Sequence, residues 1–447
     1  MLYRVLALTA VAAAGAGPLA AQAPLDLQDY RLDNGLRVIL VEDHSAPVVT
    51  IDLWYDVGSA NERPHRSGFA HLFEHMMFQG SAHAPKGEHS GLISRAGGVL
   101  NGTTNNDRTA YFETLPANRV NLGLWLEADR MRSLAITQEN FENQRKAVQE
   151  ERRLRVDNQP YAAAFVEGLT ALFDSTTCFP YAHSVIGSMD DLNAARVKDV
   201  QAFFNLYYAP SNATLTVVGD VNPGEVRSLV QQYFGDIPAG ATPPGVRCEV
   251  SLGTAPVRKV WEDEHANLPL VLTAYRMPGH DHGDTRALEL LANILGSGES
   301  SRLNLALVRE QRSALQAGTQ VDSRRWAGLF TVLAVANQGT EAETLADQLQ
   351  AEVARVLESG VSQSELDKAR NSYRARDIFG RQTTMNVAQN VQHYVHFHSS
   401  LDEIETDLDG YMAVTTDDIL RVARKYLTPE NSYTLLVEPK RAETPNP

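Results

Sequence analysis

Apolar residues follow two periodicities along the chain, one typical of strands and one typical of helices. Residues 48–57 alternate apolar and β-branched side chains with others, which predicts a strand. Residues 67–80 follow the helical period, opened by a serine cap and closed by a glycine, and residues 138–156 form a longer helical stretch. Between them, residues 99–114 are rich in β-forming threonine and aromatic side chains and predict a further strand region. This order indicates an α+β fold.

A helix, a Pro-Asn turn and a strand occur in the same order twice. The first copy covers residues 200–218 and the second covers residues 419–437. Pro210 and Pro429 are 219 residues apart, and the two asparagines of the turns have the same separation. A single chance match is the alternative, but the shared tyrosine, proline and asparagine favour two similarly built α+β halves.

A stretch rich in proline and glycine lies near the middle of the chain, where a linker between the two halves is expected. We therefore predict an N-terminal domain at residues 24–235, a linker at residues 236–262 and a homologous C-terminal domain at residues 263–447.

The first 23 residues have the pattern of a secretory signal peptide. Arg4 precedes an apolar run of small residues, and small residues offer cleavage sites after Ala21 or Ala23. A buried N-terminal helix is the alternative, which the alanine and glycine content and the following Pro24 disfavour. No later segment is apolar over the ~20 residues of a membrane span. We expect a soluble protein that is periplasmic or secreted.

The composition argues against two classes of function, namely nucleic-acid binding and a cysteine-based metal cluster. Forty Lys and Arg residues against 55 Asp and Glu residues give a net charge of -15, which argues against a nucleic-acid partner. The two cysteines, Cys178 and Cys248, are too few for a cysteine-based metal cluster, and their spacing does not reveal whether they pair.

The sequence His71-Leu72-Phe73-Glu74-His75 lies inside the first predicted helix. Helical positions four apart share a face, so His71 and His75 can bind one metal ion. Glu74 projects to the same side, where it can activate a water molecule without being a ligand. This spacing predicts a zinc site; two histidines on a partly exposed helix are the alternative.

A hydrolytic zinc site needs a third protein ligand, and the helix at residues 138–156 offers Glu151. One face of this helix carries apolar residues, namely Phe141, Ala147, Val148 and Leu154. At about 100° per residue Glu151 falls in the middle of that face, whereas Glu150 lies about 100° away. A carboxylate in an apolar face requires compensation, which zinc would provide. The alternative is pairing with a nearby arginine, namely Arg152, Arg153 or Arg155.

These residues resemble the pitrilysin, insulinase and mitochondrial processing peptidase family, the inverzincins. The resemblance covers almost all of the chain after the signal peptide and extends beyond the histidine motif to further segments, namely Gly97-Gly98 with Asn101 and Thr104, Gln144-Arg145-x-x-Val148-x-x-Glu151-Arg152-Arg153, Pro180-Tyr181 with Ile186-Gly187, and Tyr208-Ala209-Pro210-x-Asn212-Ala213 with Gly219-Asp220.

The resemblance implies one Zn²⁺ per chain, held by His71, His75 and Glu151 in a catalytic N-terminal domain. Glu151 follows His75 by 76 residues, within the family's interval of seventy to eighty. The implied fold is two homologous α+β halves, each a mixed sheet with helices on one side, forming half of or a whole clamshell chamber. Substrate peptides of relatives pair with a sheet edge, which here matches the strand containing Asn101 and Thr104.

Two positions depart from the family pattern. Relatives often carry a supporting Glu where this chain has Gln144, which can hydrogen-bond to a ligand but brings no charge. Relatives also supply a substrate-binding Arg followed seven residues later by a Tyr; Arg309 is present, but Gln316 stands at the Tyr position. Gln316 could donate a hydrogen bond through its amide. Otherwise a homologous subunit without the zinc motif supplies the Tyr in a heterodimer, with a homodimer as the alternative.

The sequence therefore predicts a zinc metalloendopeptidase that hydrolyses unfolded peptides or small polypeptides, with Glu74 as the catalytic base. The alternative is a noncatalytic scaffold or assembly subunit of the same fold.

Overall fold

The computed structural model describes residues 24–398 and 400–440, so the predicted signal peptide at residues 1–23 lies outside the described residues. Six strands form the first sheet, namely β1 (Leu27–Arg31), β2 (Arg37–Glu42), β3 (Val48–Tyr55), β4 (Val99–Thr104), β5 (Thr109–Pro116) and β6 (Ala213–Gly219). Their order is β1-β2-β6-β3-β5-β4. Only the β2–β6 pair is parallel, so the sheet is mixed, and β4 lies at its edge.

Five strands form the second sheet, namely β7 (Val257–Asp263), β8 (Leu270–Pro278), β9 (Ala314–Ser323), β10 (Ala327–Ala336) and β11 (Ser432–Pro439). Their order, β7-β11-β8-β10-β9, reproduces β2-β6-β3-β5-β4 of the first sheet. The parallel pair also recurs, because β7 pairs with β11 as β2 pairs with β6. The predicted fold of two homologous α+β halves is confirmed.

Thirteen α-helices occur among the described residues, namely α1 (Phe69–Met76), α2 (Glu88–Arg95), α3 (Val120–Ser133), α4 (Gln138–Arg152), α5 (Met189–Ala194), α6 (Val197–Tyr207), α7 (Pro223–Phe234), α8 (Thr285–Gly296), α9 (Ala342–Ser359), α10 (Gln363–Gly380), α11 (Thr384–Phe397), α12 (Asp407–Ala413) and α13 (Thr416–Tyr426). None of the helices in this part of the chain combines the length and apolarity needed to cross a membrane.

The repeated turn explains why Asn212 and Asn431 share one offset. The Asn212 side chain donates hydrogen bonds to the carbonyls of Tyr207, at the end of α6, and of Asp56, just after β3. Asn431 makes the equivalent bonds at the end of α13 and on β8. In each half one asparagine side-chain amide therefore links the C-terminal end of a helix to a central strand of the sheet.

Each half packs its own helices against one face of its sheet, and the other half covers the opposite face. Val38 and Leu40 of β2 face the core with α3 and α7, whereas the alternating Ile39 and Val41 pack against α11 from the C-terminal half. The amide of Gln392 in α11 donates to two carbonyls of the first sheet, each at 2.8 Å.

The second sheet is covered in the reciprocal way. Leu272 and Ala274 of β8 pack against Leu172 and Phe173 of the N-terminal half. Each half thus contributes segments that cover one face of the other half's sheet. Neither sheet would have both apolar faces buried by its own half alone.

The predicted linker at residues 236–262 is shorter in the structure at its C-terminal end. Residues 238–256 form neither helix nor strand, but β7 begins at Val257 because it adds to β11 in the second sheet. Cys248, within this connection, forms a disulfide with the buried Cys178 of the N-terminal half. The connection is therefore tied to the domain that it leaves.

Arg325, in the turn between β9 and β10, joins the two halves. Its guanidinium pairs with Asp56 at 2.6 Å and donates to the carbonyl of His396. Its backbone N–H donates to Asp107, which also accepts a hydrogen bond from Tyr181. Burial alone would raise the pKa of the Asp56 carboxyl, but His396 and Arg325 stabilise its ionised form so strongly that this pKa lies well below its usual value.

Candidate metal centre

Helix α1 carries the histidine motif, and its start differs from the sequence prediction. Ser67 does not cap the helix, because its hydroxyl donates to Asp191 instead, at 2.5 Å. The buried carboxylate of Glu62 caps it, accepting hydrogen bonds from the backbone N–H groups of Gly68 and Ala70 at 2.9 and 2.8 Å. A charge at this position also interacts favourably with the helix dipole.

His71 and His75 lie one turn apart on α1, and both face Glu151 of α4. The distances from Glu151 Oε2 are 3.1 Å to His75 Nε2 and 3.6 Å to His71 Nε2. Glu150 is exposed and pairs with Arg153 at 3.0 Å. The structure thus brings together the three ligands predicted from the sequence and turns Glu150 away from them.

The two carboxylate oxygens of Glu151 have different neighbours. Oε1 pairs with the exposed Arg155 at 2.8 Å, while Oε2 is the atom that faces the histidines. Arg152 pairs with Glu167 and Asp157 instead. The ion pair with Arg155 therefore leaves Oε2 of the same carboxylate free to serve as a metal ligand.

These residues fit a zinc ion. One nitrogen or oxygen atom from each of His71, His75 and Glu151 lies within 4.8 Å of the other two. Ligands at 2.0–2.1 Å in a tetrahedral site are about 3.3 Å from one another, which matches the 3.1 and 3.6 Å distances. Burial and the neighbouring His75 lower the pKa of His71 to about 4, so this imidazole is neutral, the form that binds metal.

Glu74 lies beside these three residues and is held by the edge strand β4. The Thr104 hydroxyl donates a hydrogen bond to Glu74 Oε2 at 2.7 Å. Burial raises the pKa of Glu74, against the opposing effects of Thr104 and His75. A carboxylate with a raised pKa in this position is suited to exchanging protons.

Gly102 allows β4 to approach this helix closely. A Cβ atom at position 102 would lie 3.2 Å from Glu74 Cγ and equally close to the rings of Phe78 and Tyr111. A side chain here would push the strand away from Glu74.

Strand β4 is the edge strand that the sequence predicted for residues 99–104. Asn101 is exposed on it, with its side-chain oxygen accepting from the N–H of Gly102 at 2.9 Å. Val99 is also exposed, at 67% of its maximal surface. The strand therefore presents an unpaired backbone edge and exposed side chains directly beside Glu74.

The predicted apolar face of α4 is only partly correct. Phe141 and Val148 are buried, but Ala147 and Leu154 are exposed. The α-helix gives way to a π-helical turn after Arg152, so Leu154 no longer follows the helical phase assumed for it. Gln144 is partly buried, and its side chain makes no hydrogen bond within the part of the chain that the structure describes. A role for it in orienting a ligand remains a prediction.

Arg309 is not joined to the metal ligands. It is half-exposed and pairs with the exposed Glu299. Gln316 is exposed on β9, the edge strand of the second sheet. Among the described residues, no hydrogen bond or ion pair connects either side chain with His71, His75 or Glu151.

Two family models match the chain: "Insulinase (Peptidase family M16)" over residues 37–174 and "Peptidase M16 inactive domain" over residues 195–373. The zinc protease PqqE of Helicobacter pylori is 30% identical over 423 residues, which are 92% of this chain and 93% of that protein. The chain belongs to the insulinase family, peptidase family M16. The resemblance drawn from the histidine motif is thereby confirmed.

Solved structures of the M16 family share the fold. The crystal structure of a protease from Helicobacter pylori has a TM-score of 0.88 and 30% identity, covering 93% of this chain and 100% of that one. The periplasmic protease PqqL from Escherichia coli has a TM-score of 0.75 and 17% identity, covering 94% of this chain but 48% of that one. One copy of this M16 chain thus corresponds to about half of PqqL.

Sequence reasoning missed two groups of residues. Arg108 stands near Glu74, where its charge opposes the rise in the pKa of Glu74, and it donates to the Thr103 carbonyl at 2.7 Å. His280, His393 and His398 gather away from the M16 motif. A signal for the second group was available, since three of the 13 histidines lie within residues 393–398.

Proposed function

We propose that this M16 chain is a zinc metalloendopeptidase. The observation that carries the proposal is the convergence of His71, His75 and Glu151 from two helices, with Glu74 beside them and tied to a sheet edge. A bound zinc ion would supply Lewis-acid polarisation of the scissile carbonyl and lower the pKa of water toward ~7.

The residues of the chain have distinct roles in this proposal. His71, His75 and Glu151 hold the ion, and Arg155 holds the second oxygen of Glu151 in place. Glu74 accepts the proton of the attacking water and then delivers it to the leaving amine. Thr104 orients the Glu74 carboxylate through its 2.7 Å hydrogen bond.

We propose that the substrate is an extended peptide that adds to β4. Pairing with an edge strand requires an unpaired backbone, which unfolded peptides and small polypeptides offer and folded proteins do not. Asn101 and the open edge of β4 would contact it on the side where Glu74 stands.

We further propose that the chain works with a homologous subunit. PqqL, a chain about twice as long, contains the equivalent of this fold in about half of its length, which favours a chamber of two such units. Arg309 is present, but Gln316 stands where the resemblance implies a Tyr, so a partner lacking the zinc motif would supply that phenol. A homodimer is the alternative.

The predicted signal peptide and the Cys178–Cys248 disulfide support a periplasmic or secreted location. Disulfides form and persist mainly in oxidising compartments.

The test uses the purified mature chain and its Glu74→Gln variant. A fluorogenic peptide should be cleaved by the wild type, and the variant should lose activity by about 10² to 10⁴-fold. Zinc content should remain at the wild-type level, because Glu74 is not a ligand. Loss of zinc in the variant would contradict the assignment of Glu74. Full activity of the isolated chain, unchanged on adding the homologous subunit, would contradict the heterodimer.

A noncatalytic scaffold is the second candidate, favoured by the match of residues 195–373 to the inactive-domain model. A scaffold should show no peptidase activity and should bind no zinc at His71, His75 and Glu151, so the activity of the wild type and its zinc content beside that of the His75→Ala/Glu151→Gln variant decide between the two.

A further inference from the structure

A second cluster of histidines lies in the C-terminal half, outside the M16 motif. His280 follows β8, His393 is in α11, and His398 ends that helix. One ring nitrogen from each lies within 4.8 Å of the other two. The Nε2 atoms of His280 and His393 are 2.6 Å apart and share a hydrogen bond, and the rings of His280 and His398 have centroids 4.8 Å apart. An ion bound by both Nε2 atoms would replace this shared hydrogen and separate the two nitrogens to about 3.3 Å.

A carboxylate orients one of these rings. His398 Nδ1 lies 3.0 Å from Glu403 Oε2, and a carboxylate can only accept a hydrogen bond there. Nδ1 therefore carries the hydrogen, and Nε2 keeps its lone pair free for a ligand bond. A carboxylate behind an imidazole in this way is the usual support of a metal-binding histidine.

The cluster is partly buried. The His398 side chain is only 5% exposed, and the Nδ1 atom of His280 is buried without a hydrogen-bond partner. The three imidazoles thus face one another at a partly buried position.

We propose that His280, His393 and His398 form a second metal site, which takes a divalent transition metal of the kind that imidazole prefers, with Zn²⁺ as the first candidate. A cavity of about 200 Å³ borders His393 and Tyr394 on one side of the cluster.

The position of the cluster indicates a structural role. Helix α11 covers the second face of the first sheet, and His280 belongs to the strand-to-helix connection of the second half. The backbone N–H of His280 also donates to the carbonyl of Arg324, next to the Arg325 junction.

An ion held by these three residues would fasten α11 to the second sheet and so stabilise the contact between the halves. The site is independent of the proposed catalysis.

The experiment removes the first site with the double variant His75→Ala/Glu151→Gln and measures Zn²⁺ binding by equilibrium dialysis and elemental analysis. We expect one equivalent to remain, with Co²⁺ giving the visible absorption of a tetrahedral site. Adding His393→Gln or His398→Gln should abolish this equivalent. The matched control is His265→Gln, which changes an exposed histidine outside the cluster and should leave binding unchanged.

Glu403→Gln is the finer test, because losing the carboxylate behind a histidine should weaken Zn²⁺ about 10- to 100-fold without abolishing binding. Zn²⁺ should also raise the unfolding temperature of the double variant but not of its His398→Gln derivative. A double variant that binds no metal, or histidine variants that bind as their parent does, would overturn the proposal. Using two histidine variants keeps the test decisive if one of them fails to fold.

Discussion

Thr104 on the edge strand β4 donates a hydrogen bond to Glu74 on α1, with 2.7 Å between the two oxygens. The strand proposed to receive the substrate thus also orients the proposed base. Any shift of β4 on substrate binding would move the Thr104 hydroxyl and so change the orientation of the Glu74 carboxylate directly.

Thr104→Val should lower kcat about 10-fold or more while zinc content stays constant. The variant removes a hydrogen bond to a charged group, which contributes about 1.5 to 3 kcal/mol, and 1.4 kcal/mol corresponds to a factor of ten. Thr104→Ser keeps the hydroxyl and should retain most activity. Steady-state kinetics on all three proteins checks this; equal rates for valine and threonine would show that the hydrogen bond does not position Glu74.

Glu151→Gln should weaken zinc far more than Glu150→Gln. Glu151 faces both histidines, whereas the adjacent Glu150 is exposed and pairs with Arg153. The loss should exceed the roughly 10- to 100-fold typical of removing an outer partner of a ligand. Competition with a fluorescent chelator gives both affinities, and similar affinities would contradict the choice of Glu151.

Reduction of the Cys178–Cys248 disulfide should destabilise the protein by about 2 to 5 kcal/mol. The bond closes a loop between residues 70 apart and ties the interdomain connection to the N-terminal half. Thermal unfolding with and without reductant measures the effect. The Cys178→Ser/Cys248→Ser variant serves as control, because its unfolding temperature should not respond to reductant.

Glu365 should contribute stability that depends on pH. Hydrogen bonds from Arg302 and Ser362 lower the pKa of Glu365 to about 2. A lowered folded-state pKa means that the stabilisation is present above the unfolded-state pKa and is lost as the pH falls toward 2. Because the side chain is 31% exposed, screening limits the contribution to about 1 kcal/mol.

Denaturant unfolding of Glu365→Gln at pH 7 and pH 3 tests this expectation. The difference from wild type should be clear at pH 7 and much smaller at pH 3. Glu358→Gln, at an exposed position, is the matched control and should match wild type at both values. A difference that does not change with pH would contradict the electrostatic origin.

The features that could be predicted from the sequence are those that depend on the spacing of residues along the chain. Two histidines four residues apart must share a helix face, and the 219-residue offset between Pro210 and Pro429 follows from two copies of one turn. The offset is kept in the structure from the first residue of α6 and α13 to the first residue of β6 and β11. Helical phase also selected Glu151, although part of the apolar face used for that argument is exposed.

Contacts between distant segments could not be predicted in this way. The cap of α1 comes from Glu62, outside the local pattern that favoured Ser67, and the Cys178–Cys248 pairing depends on the path of the whole connection. The histidine cluster is a further case, because His280 and His393 are separated by 113 residues. Such pairs are set by tertiary packing, which periodicity does not encode.

Each sheet is covered on one face by segments of the other half, and this determines what happens when the chain is cut between the halves. A chain cut at residues 238–256 would leave the first sheet without α11 and the second without Leu172 and Phe173, so each fragment would expose an apolar sheet face. Such faces aggregate unless they meet their complement. Separately produced fragments should therefore be insoluble alone and recover the native fold only when refolded together.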